Sequence, residues 1–168
     1  VVVVANHQSY LDIVAIVGSI PRQVAFVAKK ELAWIPFIGW HLKFQDHLLI
    51  DRGNPKQARS HLFNMAPEMR AQEKVVAIFP EGTRSITGQL GRFKSGAFEL
   101  AQRAGAPVVP VYIQGSGAIF GKQSNWVKPG AISVTIGPTM CQSSDQNVKQ
   151  AVEEWFNLMV NSPLGSVL

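Results

Sequence analysis

With 168 residues, 46% of them apolar and 16% charged, the chain can bury a sizeable core and is too apolar to remain disordered. Its formal net charge of +5 favours an anionic partner: a phosphorylated small molecule, a nucleic acid or a membrane surface. The single cysteine, Cys141, excludes an internal disulfide and a cysteine-built zinc site, and no apolar run reaches the ~18 to 20 residues of a spanning helix.

The chain opens on VVVVA (residues 1–5), continuously apolar and β-branched as a strand covered on both faces would be. Because Val1 already lies inside that run, a missing upstream segment is expected. A helix is predicted from Ser9 to about Ser19, ended by Pro21, then a strand over QVAFVAK (23–29). LAWIPFIGWHL (32–42) is apolar nearly all round and broken by Pro36 and Gly39, so short helical pieces forming core or cavity wall are expected there. HLLID (47–51) reads as a strand, and residues 55–72 as a helix with Pro55 in its first turn and a kink at Pro67. VVAIFP (75–80) is another buried strand, followed by EGTRS and a glycine-punctuated loop. KSGAFELAQRAG (94–105) is a helix closing on Gly105, PVVPVYI (107–113) and AISVTIG (131–137) are strands, and residues 145–161 form a terminal helix. Strands alternating with helices predict one α/β domain over residues 1–168, with a mostly parallel central sheet flanked by helices.

The stretch NHQSYLD (6–12) places His7 and Asp12 just past the first strand. Positions five apart on one helix point about 140° apart, so the two meet only if His7 sits in the loop and Asp12 in the first helical turn. Ser9 as N-cap would put Asp12 at N3, where its charge suits the helix dipole. A carboxylate on one imidazole nitrogen fixes the tautomer and raises the basicity of the other, which makes a general base. Ser-x-x-Asp is equally a capping-box pattern, so this stretch alone leaves capping and catalysis both open.

FPEGTRS (79–85) brings Glu81, Thr83 and Arg84 to the carboxyl end of a strand, the edge where ligands bind open α/β sheets. Gly82 allows a close backbone approach or a positive φ, Arg84 supplies a planar phosphate fork, and Thr83 a hydroxyl. Lys94 lies beside a predicted helix N-terminus, and Arg52 follows the strand LLI, so Arg52, Arg84 and Lys94 can converge on one phosphate. Glu81 can instead be the structural partner of an arginine. There is no GxSxG nucleophile elbow and no GxxxxGK[ST] phosphate loop, and GSGAIFG (115–121) misses the dinucleotide spacing. His41, His47 and His61 lack metal-ligand spacing, and the basic residues are dispersed rather than striped, so neither a metal nor a nucleic acid is expected.

NHQSYLD resembles the Asn-His-x4-Asp motif of the glycerolipid acyltransferases, and FPEGTRS their Phe-Pro-Glu-Gly-Thr-Arg-Ser motif. LLIDR (48–52) is similar to the motif between these, and VVPVYI (108–113) to the short fourth one. Residues 29–52 and the Thr-Arg after Glu-Gly look most like the bacterial-type 1-acylglycerol-3-phosphate branch. The resemblance implies a glycerol-3-phosphate acyltransferase-like fold. It also implies transfer of a fatty acyl group from coenzyme A or acyl carrier protein to the sn-2 hydroxyl of lysophosphatidate, giving phosphatidate. His7 would then be the base and Asp12 its orienter, with Arg52, Glu81, Gly82, Thr83, Arg84 and Lys94 as acceptor-binding positions. No cofactor is implied beyond the acyl thioester co-substrate, and the expected setting is a membrane surface, at the cytoplasmic face of a bacterial inner membrane. Competing expectations are the same chemistry on another acceptor (glycerol 3-phosphate, another lysophospholipid or a lyso-aminolipid), a non-catalytic phospholipid-binding module, and a thioesterase.

Overall fold

The structure, a computed structural model, describes residues 1–30, 47–51, 53–142 and 147–162. The predictions for residues 32–42, for Arg52 and for the first turn of the last helix at Asp145 fall outside them. Among the described residues six strands form one sheet: β1 (Val2–Ala5), β2 (Val24–Lys29), β3 (Leu48–Ile50), β4 (Val75–Ile78), β5 (Val108–Gln114) and β6 (Ser133–Ile136). Their spatial order is β3-β2-β4-β1-β5-β6. All neighbours are parallel except β5 and β6, which run antiparallel. This is the predicted α/β architecture with a mostly parallel sheet.

Every residue of β1 and β4 is buried, because helices cover both faces of the sheet. Side-chain alternation divides β1 between two cores. Val2 and Val4 face one that includes Leu62, Met69, Leu100, Val152 and Phe156, while Val3 and Ala5 face another with Ile16, Phe26 and Ile113. The first layer is built by α2 (Pro55–Asn64), α3 (Ala66–Gln72), α4 (Gly96–Ala104) and α6 (Val148–Asn161); the opposite face takes α1 (Leu11–Ser19).

Three local outcomes refine the sequence reading. The expected single helix over 55–72 is two helices separated at Met65, since Pro67 has no N–H to continue the ladder and instead opens the first turn of α3. α4 ends on Gly105 at φ 60°, the left-handed cap its sequence called for. GSGAIFG contains a short helix that periodicity did not reveal, α5 (Ser116–Phe120). It starts from Gly115 at φ 86°, where a Cβ would lie 2.1 Å from the Ala131 carbonyl oxygen, so only glycine allows the turn out of β5.

Candidate active site

The site follows from the register of β1 and β4. Val4 lies opposite Ile78 in the parallel pair, and three residues beyond each partner come His7 and Glu81. The two chains therefore leave the sheet side by side, and the His7 N–H donates to Glu81 Oε1 at 2.9 Å. The same loop grips His7 again, because the Ser85 N–H donates to the His7 carbonyl at 2.7 Å. Glu81 Oε2 accepts from the Gly91 N–H at 2.9 Å, closing the glycine-punctuated loop back onto the strand end. On the other flank, the buried Asn6 amide donates to the Ile113 carbonyl and accepts from the Ile113 N–H, at 2.8 and 2.7 Å. That two-bond clamp ties the end of β1 to β5 where the ladder runs out.

Within this frame the His7 ring meets Asp12: Nδ1 lies 2.9 Å from Asp12 Oδ2. The same carboxylate oxygen accepts from the Gln8 N–H at 2.7 Å and the Ser9 N–H at 2.8 Å, and Asp12 is fully buried. Helix α1 begins at Leu11, two residues later than the sequence suggests, with Tyr10 in the cap position. Ser9 still serves the helix start, since its hydroxyl accepts from the Leu11 N–H at 3.1 Å, while Asp12 returns the bond to Ser9. Both halves of a capping exchange are present, and Asp12 performs its half with the oxygen that also holds the imidazole. The His7 ring stacks on Phe79 at 3.9 Å between centroids and 14° between planes. With Nδ1 engaged and the ring face covered, Nε2 has no hydrogen-bond partner among the described residues, and the side chain is 12% exposed. An imidazole whose Nδ1–H is fixed by a carboxylate presents Nε2 as a proton acceptor.

The FPEGTRS segment forms the turn beside it. The Gly82 N–H donates to the Phe79 carbonyl, and Gly82 has φ 73°. An added Cβ there would lie 2.6 Å from Lys94 Nζ, the movable tip of a long side chain, so it is the positive φ that calls for glycine. Lys94 is tied to the turn through its N–H, which donates to the Pro80 carbonyl at 3.0 Å. Arg84 lies over the Tyr10 ring, its guanidinium carbon 3.9 Å from the centroid. Thr83 is exposed, and its hydroxyl accepts from Lys122 Nζ at 3.2 Å. Among the described residues Glu81 is paired with neither arginine nor lysine; both its oxygens take backbone N–H groups. Burial pushes its carboxyl above the ordinary value of 4.5, against the pull of those two donors.

The structure thus brings His7, Asp12, Glu81, Gly82, Thr83, Arg84 and Lys94 to one sheet edge. Arg84 and Lys94 reach the turn from different sides, one over Tyr10 and the other over Gly82. A cleft of about 750 Å³ continues from Glu81, Thr83 and Lys94 along the following loop to Arg92, Ser95 and Lys149; its lining does not include His7. Sequence reasoning assigned no role to Asn6, Phe79 or Lys122. The first two stand inside the quoted motifs, where a polar residue at a strand end and a ring beside a histidine are local signals. Lys122 carries no such signal, since its link to Thr83 spans 39 positions.

Residues 1–114 match the family model described as acyltransferase. The chain is 36% identical over 162 residues to a 1-acyl-sn-glycerol-3-phosphate acyltransferase of Pseudomonas aeruginosa, covering 93% of this chain and 62% of that protein. It is 37% identical over 131 residues to a protein of the same description from Cocos nucifera, covering 78% of this chain and 42% of that one. The crystal structure of the 1-acyl-sn-glycerophosphate (LPA) acyltransferase from Thermotoga maritima superposes with a TM-score of 0.77 at 30% identity, covering 99% of this chain and 66% of that one. The chain therefore spans less than two thirds of the length of each of these relatives.

Proposed function

The chain belongs to the acyltransferase family, and from that premise we propose that it transfers a fatty acyl group from a thioester to the sn-2 hydroxyl of 1-acylglycerol-3-phosphate, yielding phosphatidate. The observation that carries this reading is the His7–Asp12 pair at a strand end, with Nδ1 held, Nε2 unengaged and cations on the adjoining turn. His7 Nε2 takes the proton of the acceptor hydroxyl as its oxygen attacks the thioester carbonyl. Asp12 stabilises the resulting imidazolium. Collapse of the tetrahedral intermediate breaks the C–S bond, and the departing thiolate recovers the proton from His7. A thioester is already activated, so proximity, a base and charge stabilisation suffice, and no acyl-enzyme is required. Gly82, Thr83, Arg84 and Lys94 hold the acceptor phosphate. Glu81, whose oxygens are committed to His7 and Gly91, keeps the turn against the histidine.

The donor is acyl-coenzyme A or acyl-acyl carrier protein, and no further cofactor takes part. Among the described residues no helix is long and apolar enough to cross a membrane. The acceptor is a membrane lipid, so the reaction takes place at a membrane surface, on the cytoplasmic face where acyl thioesters are available. The test is to incubate the intact protein and its His7→Ala variant with labelled acyl-coenzyme A and a panel of acceptors that includes lysophosphatidate. Labelled phosphatidate from the wild type, with transfer falling at least about a hundredfold in the folded variant, is the expected outcome. Near-normal turnover by folded His7→Ala would sink the base assignment. Thiol release without an acceptor would make the protein a thioesterase, and lipid binding without any release a non-catalytic module.

A further inference from the structure

Among the described residues three cations lie at the Gly82–Thr83–Arg84 turn, Arg84, Lys94 and Lys122, and the last of these was singled out by no sequence pattern. Lys122 follows α5, and the two residues before it are anchored to the site: the Ser9 hydroxyl donates to the Phe120 carbonyl at 2.6 Å, and Ser9 forms a bridge with Gly121. Ser9 is also the residue whose N–H is held by Asp12. The Lys122 stem thus starts next to a point fixed to the His7–Asp12 loop and reaches Thr83. None of Arg84, Lys94 and Lys122 has a carboxylate within ion-pair distance among the described residues. The nearby Glu81 is committed to backbone. A hydroxyl carries one proton and two acceptor lone pairs. With Lys122 on a lone pair, the Thr83 hydroxyl keeps its proton to donate outward, beside an ammonium that has no counter-charge.

We propose that Lys122, acting with Thr83, is the residue through which this site distinguishes a phosphate monoester headgroup from a phosphodiester. The inference rests on the acyl-transfer reading and deepens it by naming the acceptor class and its reader. A phosphate monoester carries about two negative charges near pH 7, a diester only one, so each unpaired cation beside the phosphate favours the monoester. Lys122 is the member of the trio that neither packs on an aromatic ring, as Arg84 does, nor lies against the glycine turn, as Lys94 does.

The test compares steady-state kinetics of the intact wild type, Lys122→Ala, Lys122→Gln and Lys122→Arg, with lysophosphatidate and lysophosphatidylglycerol as acceptors and acyl-coenzyme A as donor. Loss of the charge should raise the lysophosphatidate KM about tenfold and the lysophosphatidylglycerol KM less than about threefold, leaving the acyl-coenzyme A KM unchanged. Lys122→Gln, which can still hydrogen-bond Thr83, should behave like Lys122→Ala, and Lys122→Arg should restore most of the preference. An unchanged lysophosphatidate KM in Lys122→Ala, or an equal rise for both acceptors, would overturn the assignment while leaving acyl transfer standing. Absence of transfer by the wild type to either acceptor would instead refute the acyl-transfer reading, and this assignment with it.

Discussion

Replacing Asp12 by asparagine removes the charge of the His7 partner while keeping its shape. In the native site Oδ2 alone accepts from the His7 ring and from the Gln8 and Ser9 N–H groups, so an amide oxygen placed there preserves all three bonds and the imidazole tautomer. What is lost is the attraction between the carboxylate and the imidazolium formed during transfer. With Nδ1 2.9 Å from Oδ2 the charge centres lie about 4 Å apart, worth about 4 kcal/mol at an effective dielectric near 20. That corresponds to about a thousandfold in rate. The amide nitrogen must occupy the place of Oδ1, a buried atom with no hydrogen-bond partner among the described residues. A buried donor without a partner costs about 1–3 kcal/mol, and each kcal/mol lowers Tm by about 2–4 °C at this chain length. The expected result is a folded protein with a modestly lower Tm, an acceptor KM close to wild type and kcat reduced about a thousandfold. Thiol release from acyl-coenzyme A in the presence of lysophosphatidate measures the rate, and circular dichroism the fold. A folded Asp12→Asn variant with kcat within tenfold of wild type would refute the electrostatic role assigned to the carboxylate.

Two further outcomes test the scaffold around the pair. Asn6→Ala strips partners from both the N–H and the carbonyl of buried Ile113, so unfolding in urea should show a loss of about 2–4 kcal/mol, and a loss under 1 kcal/mol would contradict the clamp between β1 and β5. Glu81, whose pKa is raised by burial, binds its proton more tightly folded than unfolded, so the associated stability is complete below the ordinary value of 4.5 and disappears as pH rises through the folded pKa. Wild-type stability measured against Glu81→Gln should therefore fall as pH rises through that window, and a difference that stays flat or moves the other way would exclude a raised Glu81 pKa.

Much of this architecture was written in local pattern. The unbroken apolar runs of β1 and β4 called for strands covered on both faces, and their burial at every position agrees. Gly82 between Glu81 and Thr83 announced a turn with unusual backbone, and its φ of 73° is what that position needs. The spacing of His7 and Asp12 allowed contact only across a loop-to-helix junction, and the contact is there. Pro67 marked a disturbance in the helical period, though whether it bends one helix or begins a second depends on what the two segments pack against.

Tertiary structure decided what no local pattern contains. Strand order is fixed by pairing between segments far apart in the chain, and it is the placement of β4 beside β1, in register at Val4 and Ile78, that sets Glu81 against His7. A reading of residue types left Glu81 open as a phosphate-side or arginine-paired group; its position makes it a backbone acceptor for the histidine and the glycine loop. The Asn6 clamp reaches 107 positions along the chain, and Lys122 reaches back 39 to Thr83. By itself the sequence determined most of the described elements, though not the short helix at Ser116–Phe120, and which chemical groups stand at their ends, because periodicity and capping act within a few residues. Which ends become neighbours is a property of the whole sheet. Only there do a histidine, its carboxylate, a glycine turn and a lysine from a separate segment come to share one edge.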